Sequence, residues 1–336
     1  MLSVRSHITR DDIAAIGQLV PAHLVYLLTG HQHDKLVVKQ EGRTGNKNSN
    51  VEHNLLVMSF IDPNGQQLVL DASEVSELRL WVTTAAGEAA HASMQPLLSE
   101  LANRLSQGEA QGVVWTKMPF KRLVNLDSAV KDKDDKQNAD KTKIRQLGAA
   151  LAAPGGLEKL GEIVAADLFN GNQDRFSYHI DKRTHKLAPQ KEKTIGSQYR
   201  HLANLGNLLV ALDGPAQPTG LDSFDPTSNY KSWTTPLTDA EKSDLAGLWP
   251  GRVLAPCRTA DLHEFAVSAM ADLEQAMGPR HRKIPFATKS RLGKHAAARF
   301  QTGLERGRTK IVQRLRAQYG RQMPTGLADR LRLLNM

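Results

Sequence analysis

The chain has 336 residues, a formal net charge of +9 and one cysteine, Cys257, which excludes an intrachain disulfide framework and a cysteine-rich zinc site. No apolar run approaches the ~20 residues that span a bilayer, and the N-terminus lacks the apolar core of a secretory signal peptide. We therefore expect a soluble protein with one large domain or two ordinary ones.

The first part of the chain shows a mixture of helix and strand patterns. Residues 10–28 are predicted to form a short helix or two, and the apolar run of DKLVVKQE predicts a strand over 34–41. Residues 73–82 fit neither pattern clearly. The patterns around them predict a helix over 50–61, a strand over 66–72, a helix over 88–106 and a strand over 112–118.

The second part of the chain is predicted to be mainly helical. Residues 131–143 are dense in both charges, which is typical of an exposed insert. A strand hairpin is expected over 208–212 and 219–224, around a Gly/Pro turn. The expected helices cover 142–169 with a break at 153–156, then 238–248, 259–277 and 288–319. Together these patterns predict an α+β protein with a small α/β lobe, a larger helical lobe and a ligand between them.

The positive charge is concentrated at the C-terminal end. Residues 280–336 contain fifteen Lys or Arg and two acids, a net charge of +13, so the remaining residues sum to −4. Phe300, Leu304, Ile311 and Leu315 fall near one face of a predicted helix. This helix is either packed with a solvated cationic surface, or it contacts an acidic protein or an anionic lipid surface. Sparse aromatic residues argue against a base-stacking platform for nucleic acid.

Four polar residues follow one another in an informative order. Lys39 ends a short apolar strand, and Asp174 lies in a loop after a buried helix. Asn207 opens a strand, and Asp222 follows the second strand of the hairpin. Phosphoryl transfer from ATP requires a lysine for the phosphates, a carboxylate for the attacking hydroxyl, and an asparagine and an aspartate for Mg²⁺.

The local sequences around these residues point to a family. LGEIVAADLFNGNQDRF, then NLGNLLV, then LDSFDP, with a strand lysine upstream, resemble the atypical protein kinases related to actin-fragmin kinase and, more distantly, the phosphatidylinositol 3- and 4-kinases. The resemblance covers roughly residues 34–41 and 157–226. It implies a two-lobed protein-kinase-like fold in which the C-lobe carries a metal-binding hairpin.

The resemblance also implies a division of the chain. Residues 1–118 would form the small α/β N-lobe, and residues 119–278 would form the C-lobe with the catalytic and metal-binding loops. Residues 279–336 would form a basic helical extension packed on the C-lobe or following it.

In the nucleotide site that the resemblance implies, Lys39 would hold the phosphates, and Glu52 would pair with that lysine. Lys117 and Met118, in the hinge strand 113–120, would bind adenine through backbone hydrogen bonds. Lys35 competes with Lys39 for the phosphate role.

The resemblance places the chemistry in the second lobe. Asp174 would be the catalytic carboxylate, and Arg175 would anchor its loop. Asn207 and Asp222 would hold one or two Mg²⁺ ions. Asn204 competes with Asn207 for these roles, and Asp213 and Asp225 compete with Asp222.

The expected function is ATP- and Mg²⁺-dependent transfer of the γ-phosphate to a protein hydroxyl, on serine or threonine. The alternatives are an inactive kinase-like module that binds partners through its basic tail, and a kinase-fold enzyme that transfers AMP or phosphorylates a lipid. Two locations are open: the cytoplasm, or a host cell into which the chain is delivered as a secreted effector that acts on a host protein.

Overall fold

The computed structural model describes residues 13–20, 24–30, 32, 34–41, 48–63, 67–88, 91–111, 113–125, 141–172, 175–176, 179–180, 187–188, 207–221, 233, 235–240, 242, 254, 259–277 and 292–333. These residues form an α+β protein with antiparallel sheets, which confirms the predicted class. They fall into two compact units. The first contains the described residues up to 120 except 56–63, and the second contains 56–63 and those from 121 onward.

A five-stranded antiparallel sheet organises the first unit. Its strands are β1 (Ile13–Val20), β2 (Val25–Gly30), β3 (Lys35–Glu41), β4 (Leu68–Val69) and β5 (Val114–Pro119). They lie in the order β1-β2-β3-β5-β4, so β3 and β5 occupy the interior of the sheet. The strands predicted over 34–41, 66–72 and 112–118 are therefore present, the middle one much shorter than expected.

The helix prediction for residues 10–28 is wrong, because these residues form β1 and most of β2. Ile13 and Ile16 are both buried although they are three positions apart, a spacing that suggests a helix. An irregularity in the β1–β2 register between Ile13 and Ala15 accounts for this spacing. An irregular register interrupts the strict alternation of a strand, so both isoleucines can face the core.

Three helices belong to the first part of the chain: α1 (Asn48–Ile61), α2 (Ala72–Ala86) and α3 (Gln95–Gln111). Residues 73–82, whose sequence pattern fits neither a helix nor a strand clearly, lie within α2. Asp71 caps this helix, accepting a hydrogen bond from the Glu74 N–H while Glu74 bonds back to the Asp71 N–H. The core of the first unit combines buried side chains of β1, β2, β3, α2, α3 and β5. The helix α1 contributes residues to both units.

The second unit is mainly helical. Its helices are α4 (Lys141–Ala152), α5 (Gly156–Asn170), α6 (Thr259–Met277), α7 (Ala296–Tyr319) and α8 (Thr325–Leu333), with a 3₁₀ turn at Gly320–Gln322. Its strands are β6 (Leu123–Asn125), β7 (His179–Ile180), β8 (Leu187–Ala188), β9 (Leu209–Ala211) and β10 (Gln217–Pro218). The expected hairpin is present as β9–β10, but its second strand lies at Gln217–Pro218 and residues 219–221, which were predicted to belong to it, are not in a strand. The strand β6 extends the pair into a three-stranded sheet. Most of the charged insert 131–143 lies outside the described residues.

The basic C-terminal segment contributes a central helix to the second unit. Phe300, Leu304, Ile311 and Leu315 of α7 are fully buried in the same core as α5. The backbones of these two helices approach closely, since a Cβ at Gly303 would overlap α5 backbone atoms. The described part of the predicted extension 279–336 is therefore integral to this unit, and the apolar face of α7 is buried in its core.

Candidate functional site

The sequence Asn170-Gly171-Asn172 ends α5, as its composition predicts. Gly171 adopts a left-handed conformation with φ of 74°, and its N–H donates to the carbonyls of Asp167 and Leu168. Glycine tolerates this conformation, which closes a helix and redirects the chain. The chain then continues through Asn172 to Arg175, and both of these polar residues are 1% exposed.

The Arg175 guanidinium connects three segments of the second unit. Its Nε donates to Asp167 Oδ2 at 2.7 Å, and its Nη2 donates to the Leu221 carbonyl at 3.0 Å. Its Nη1 donates to the Asn207 carbonyl. Asn172 Nδ2 donates to the other carboxylate oxygen of Asp167 at 3.0 Å. We call these five residues the arginine hub.

The arginine hub is a buried structure and differs from the ion pair of an exposed turn. The side chains of Arg175 and Asp167 are each 1% exposed, so each charge depends on the other for compensation. The planar guanidinium offers five N–H donors in a fixed geometry. It can therefore hold the end of α5, Asn207 and Leu221 in one arrangement. Asn207 lies two residues before β9, and Leu221 lies directly before Asp222.

The residues predicted from the sequence for phosphoryl transfer in this unit belong to the hub or are covalent neighbours of it. Asn207 is 9% exposed and belongs to the hub through its carbonyl. Asp174 and Asp222 are covalent neighbours of Arg175 and Leu221. Both acids lie outside the described residues, as do the competing Asn204 and Asp225, so their roles stay predictions.

A second buried acid, Asp62, lies directly after α1. Its Oδ2 accepts hydrogen bonds from Thr219 Oγ1 and from the Gly220 N–H, each at 2.9 Å. Its Oδ1 lies 3.3 Å from Lys159 Nζ, and the same ammonium donates to the Ile61 carbonyl at 2.6 Å. Burial would raise the pKa of Asp62, but the Lys159 charge and these hydrogen bonds outweigh burial and lower the pKa.

The sequence did not identify Asp62 as part of the site, because Asp-Pro-Asn-Gly is a common turn sequence. The only signal was its place directly after the apolar face of a helix. Its partners lie 157 and 158 residues further along the chain, so the sequence pattern gave no indication of these contacts.

Lys39, in the first unit, lies on β3 opposite Thr116 of β5. Its ammonium is 3.0 Å from Glu41 Oε1. Gln67 Nε2 donates to Glu41 Oε1 and to Thr116 Oγ1, both at 2.7 Å. The neighbours of the lysine thus form a partly buried polar cluster on one face of the sheet.

The structure corrects the expected Lys39–Glu52 pair. Glu52 is exposed on α1, and the carboxylate beside Lys39 belongs to Glu41. Residues two apart on a strand project from the same face, which explains why Glu41 lies within reach of the lysine. Glu52 instead contributes to a cavity of about 520 Å³, whose other lining residues are Val69, Leu70, Asp71, Ala72, Val75, Gly108, Val113, Val114 and Trp115.

Lys117 and Met118, which the resemblance assigns to adenine, lie within the paired part of β5. Lys117 aligns with Val38 on one side and with Leu68 on the other, and Met118 aligns with Val37. Aligned residues in an antiparallel ladder alternate between hydrogen-bonded and non-hydrogen-bonded pairs, so a backbone contact to adenine at these residues stays a prediction. The Lys117 ammonium forms an ion pair with Glu74 on α2, and its side chain is 4% exposed.

Several broader comparisons constrain the interpretation of this site. No group of three or more His, Cys, Asp or Glu side chains suited to a metal ion occurs within the described ranges. None of the described helices combines the length and apolar character needed to cross a membrane.

No protein-family model, curated protein or solved structure matches this chain. The kinase-like interpretation therefore depends on the motifs and on the geometry of the hub.

Proposed function

We propose that this chain is an ATP- and Mg²⁺-dependent phosphotransferase with a two-lobed protein-kinase-like fold, which transfers the γ-phosphate to a serine or threonine hydroxyl of a protein. The observation that carries the proposal is the arginine hub. It joins three segments that are distant in sequence, and each segment contains one residue that the sequence had selected for phosphoryl transfer.

The convergence of these segments is what the chemistry needs. Catalysis of phosphoryl transfer depends chiefly on positioning and on electrostatic stabilisation. The acid that orients the hydroxyl must therefore lie close to the groups that hold the metal ions. Arg175 follows Asp174 and binds the carbonyls of Asn207 and Leu221, and Asp222 follows Leu221. One buried side chain thus constrains the chain next to all three proposed residues.

The donor set fits Mg²⁺. The Asn207 amide and the Asp222 carboxylate both offer oxygen ligands, which this hard cation prefers. Asp167 compensates the charge of Arg175, so the guanidinium adds little repulsion toward a neighbouring cation. When bound, Mg²⁺ would neutralise charge on the phosphate oxygens.

Asp174 would orient the acceptor hydroxyl and take its proton. The hydroxyl oxygen would form a bond to the γ-phosphorus while the bond between that phosphorus and the ADP oxygen breaks. Lys39 is proposed to hold phosphate oxygens, since it lies on the third strand of the sheet, where protein kinases carry their phosphate-binding lysine. The position of Glu41 indicates that this residue, rather than Glu52, is the carboxylate partner of the lysine.

Ligand-dependent melting tests the nucleotide site. A ligand that binds the folded chain raises its Tm, so we expect a shift that requires ATP and Mg²⁺ together. Asp222→Ala should abolish this shift and Asp225→Ala should retain it; the reverse result would assign the metal to Asp225. No shift in the wild type at millimolar Mg·ATP would contradict the proposal and favour the inactive binding module.

A further inference from the structure

We propose that the cavity between Glu52, α2, the end of α3 and the start of β5, here called the α2 pocket, binds a small apolar amine that also carries a hydrogen-bond-accepting oxygen. The α2 pocket has a volume of about 520 Å³, within the range of pockets that hold small molecules. All of its lining residues belong to the first unit. None of them takes part in the phosphotransferase proposed above, so the pocket would be a second, separate site.

The walls of the α2 pocket are mostly apolar. Val75 of α2 and Val114 and Trp115 of β5 are among the lining side chains. Gly108 of α3 also lines the pocket, and a Cβ at this position would lie 2.9 Å from Trp115 Nε1. Glycine therefore lets α3 pack against the indole. Walls of this kind favour a ligand with an apolar body, because its burial removes apolar surface from water.

Two carboxylates give the α2 pocket a negative charge. They belong to Glu52 on α1 and to Asp71, and no described residue that lines the pocket is basic. Neither acid forms an ion pair within the described part of the chain. Asp71 Oδ1 accepts the Glu74 N–H and so caps α2, which leaves its second oxygen for a ligand. Because Asp71 already occupies the start of the helix, the pocket favours a cation over an anion.

The composition of the α2 pocket favours an organic cation over a metal ion. Ca²⁺ takes about six to eight oxygen ligands, and Mg²⁺ retains several waters, whereas apolar side chains make up most of these walls. The described residues include no group of three or more side chains suited to a metal. An ammonium group can donate charge-assisted hydrogen bonds to Glu52 or Asp71, while the rest of the molecule contacts the apolar walls.

Trp115 adds a hydrogen-bond donor that the fold leaves unsatisfied. The residue is 1% exposed, and its Nε1–H has no hydrogen-bond partner among the described residues. A buried donor without an acceptor costs free energy, and a ligand oxygen that accepts from this N–H would remove that cost. For this reason the proposed ligand carries an acceptor oxygen in addition to its amine.

The test uses O-methyltyramine, which has an apolar aromatic body, an amine and an ether oxygen. Its neutral counterpart, O-methyltyrosol, has the same body and oxygen but carries a hydroxyl in place of the amine. The full chain is labelled with ¹⁵N-tryptophan, and the indole signal that disappears in Trp115→Phe is followed as each compound is added. The chain contains four tryptophans, so the remaining indole signals report binding elsewhere.

Three variants locate the binding. Glu52→Gln and Asp71→Asn are made together to remove both charges, and asparagine still caps a helix, so the start of α2 is retained. Val75→Phe places a larger side chain in the pocket. Glu88→Gln is the matched control, because it removes a carboxylate beyond the other end of α2, where Glu88 pairs with His91.

We expect O-methyltyramine to shift the Trp115 signal saturably and to bind about 10-fold more tightly than O-methyltyrosol, the factor that a hydrogen bond to a charged group contributes. The double variant should lose this preference, Val75→Phe should lose the binding of both compounds, and Glu88→Gln should match the wild type. Equal binding of the two compounds to the wild type would overturn the amine assignment. No saturable shift with either compound would overturn the site itself, and neither result would alter the Mg·ATP shift in Tm expected of the phosphotransferase.

Discussion

Arg175 and Lys39 lie in polar clusters that are built differently. In the second unit, the Arg175 side chain is 1% exposed and donates to residues in three segments, the farthest of them 46 residues from Arg175 along the chain. In the first unit, the Lys39 side chain is 14% exposed and lies beside Glu41, two residues away on the same strand. A guanidinium fixes several groups in one geometry, whereas an ammonium is a compact charge on a flexible stem.

The buried Arg175 guanidinium is suited to holding the chain in place, whereas the partly exposed Lys39 ammonium is suited to binding a ligand. The Arg175 contacts are internal and buried, so exchanging them for a ligand would leave an uncompensated charge. The Lys39 ammonium remains partly exposed and can reorient toward phosphate oxygens at lower cost. Under the proposed function, the Arg175 contacts would keep the second unit's loops in a preformed arrangement, and the Lys39 ammonium would move to meet phosphate oxygens.

The largest expected effect is on the buried arginine. Arg175→Met leaves Asp167 without its counter-charge and two carbonyls without this donor, so the free energy of unfolding should fall by about 3–5 kcal/mol. Urea denaturation measures this loss, with Arg299→Met as the control. The Arg299 side chain is 25% exposed, so its removal should cost less. Equal losses in the two variants would contradict the distinction between buried and accessible cations.

The next effect concerns the pH dependence of stability in the second unit. The pKa of Asp62 is lowered in the folded chain from its ordinary value of 3.8. Its charge therefore stabilises the fold above about that pH, and this stabilisation is lost as pH falls through the folded pKa. Wild type should be more stable than Asp62→Asn at pH 7, and the difference should shrink below pH 4. Urea denaturation across this range measures it, and a constant difference would contradict the assignment.

A smaller effect on stability is expected at Lys39, which is only partly exposed. Lys39→Met is made together with Glu41→Gln so that the buried Glu41 carboxylate does not lose its counter-charge. Because both partners of the ion pair are replaced together, the double variant should change the free energy of unfolding little, yet it should lose the Mg·ATP shift in Tm. Lys35→Met is the matched control on the same strand, where the ammonium lies 5.0 Å from the Phe120 ring centroid. Loss of the shift in Lys35→Met alone would assign the phosphate role to Lys35.

Patterns among neighbouring residues were sufficient to predict some elements of the fold. The apolar run before Lys39 predicted β3, and the apolar face before Asn170-Gly171 predicted the end of α5. Both depend on neighbours within a few residues. The sequence missed β1 because an irregular strand register produced a helix-like spacing of Ile13 and Ile16.

The partners within the site depend on tertiary structure, so the sequence predicted them less well. Arg175 reaches Asn207 and Leu221 across 32 and 46 residues, and nothing in the local sequence specifies these contacts. Glu52 was chosen by analogy as the partner of Lys39, whereas strand geometry favours Glu41. The residue types that the chemistry needs could be recognised, but the groups that position them could not.

Phosphate transfer tests the central claim most directly. Purified chain is incubated with Mg²⁺ and a mixture of acceptor proteins, with ATP labelled either at the γ- or at the α-phosphate. We expect protein-bound label only from γ-labelled ATP, and we expect Asp174→Ala to lose it while retaining the Mg·ATP shift in Tm. Label from α-labelled ATP would indicate AMP transfer, and an Asp174→Ala variant that still transfers the γ-phosphate would contradict the catalytic role assigned to this acid.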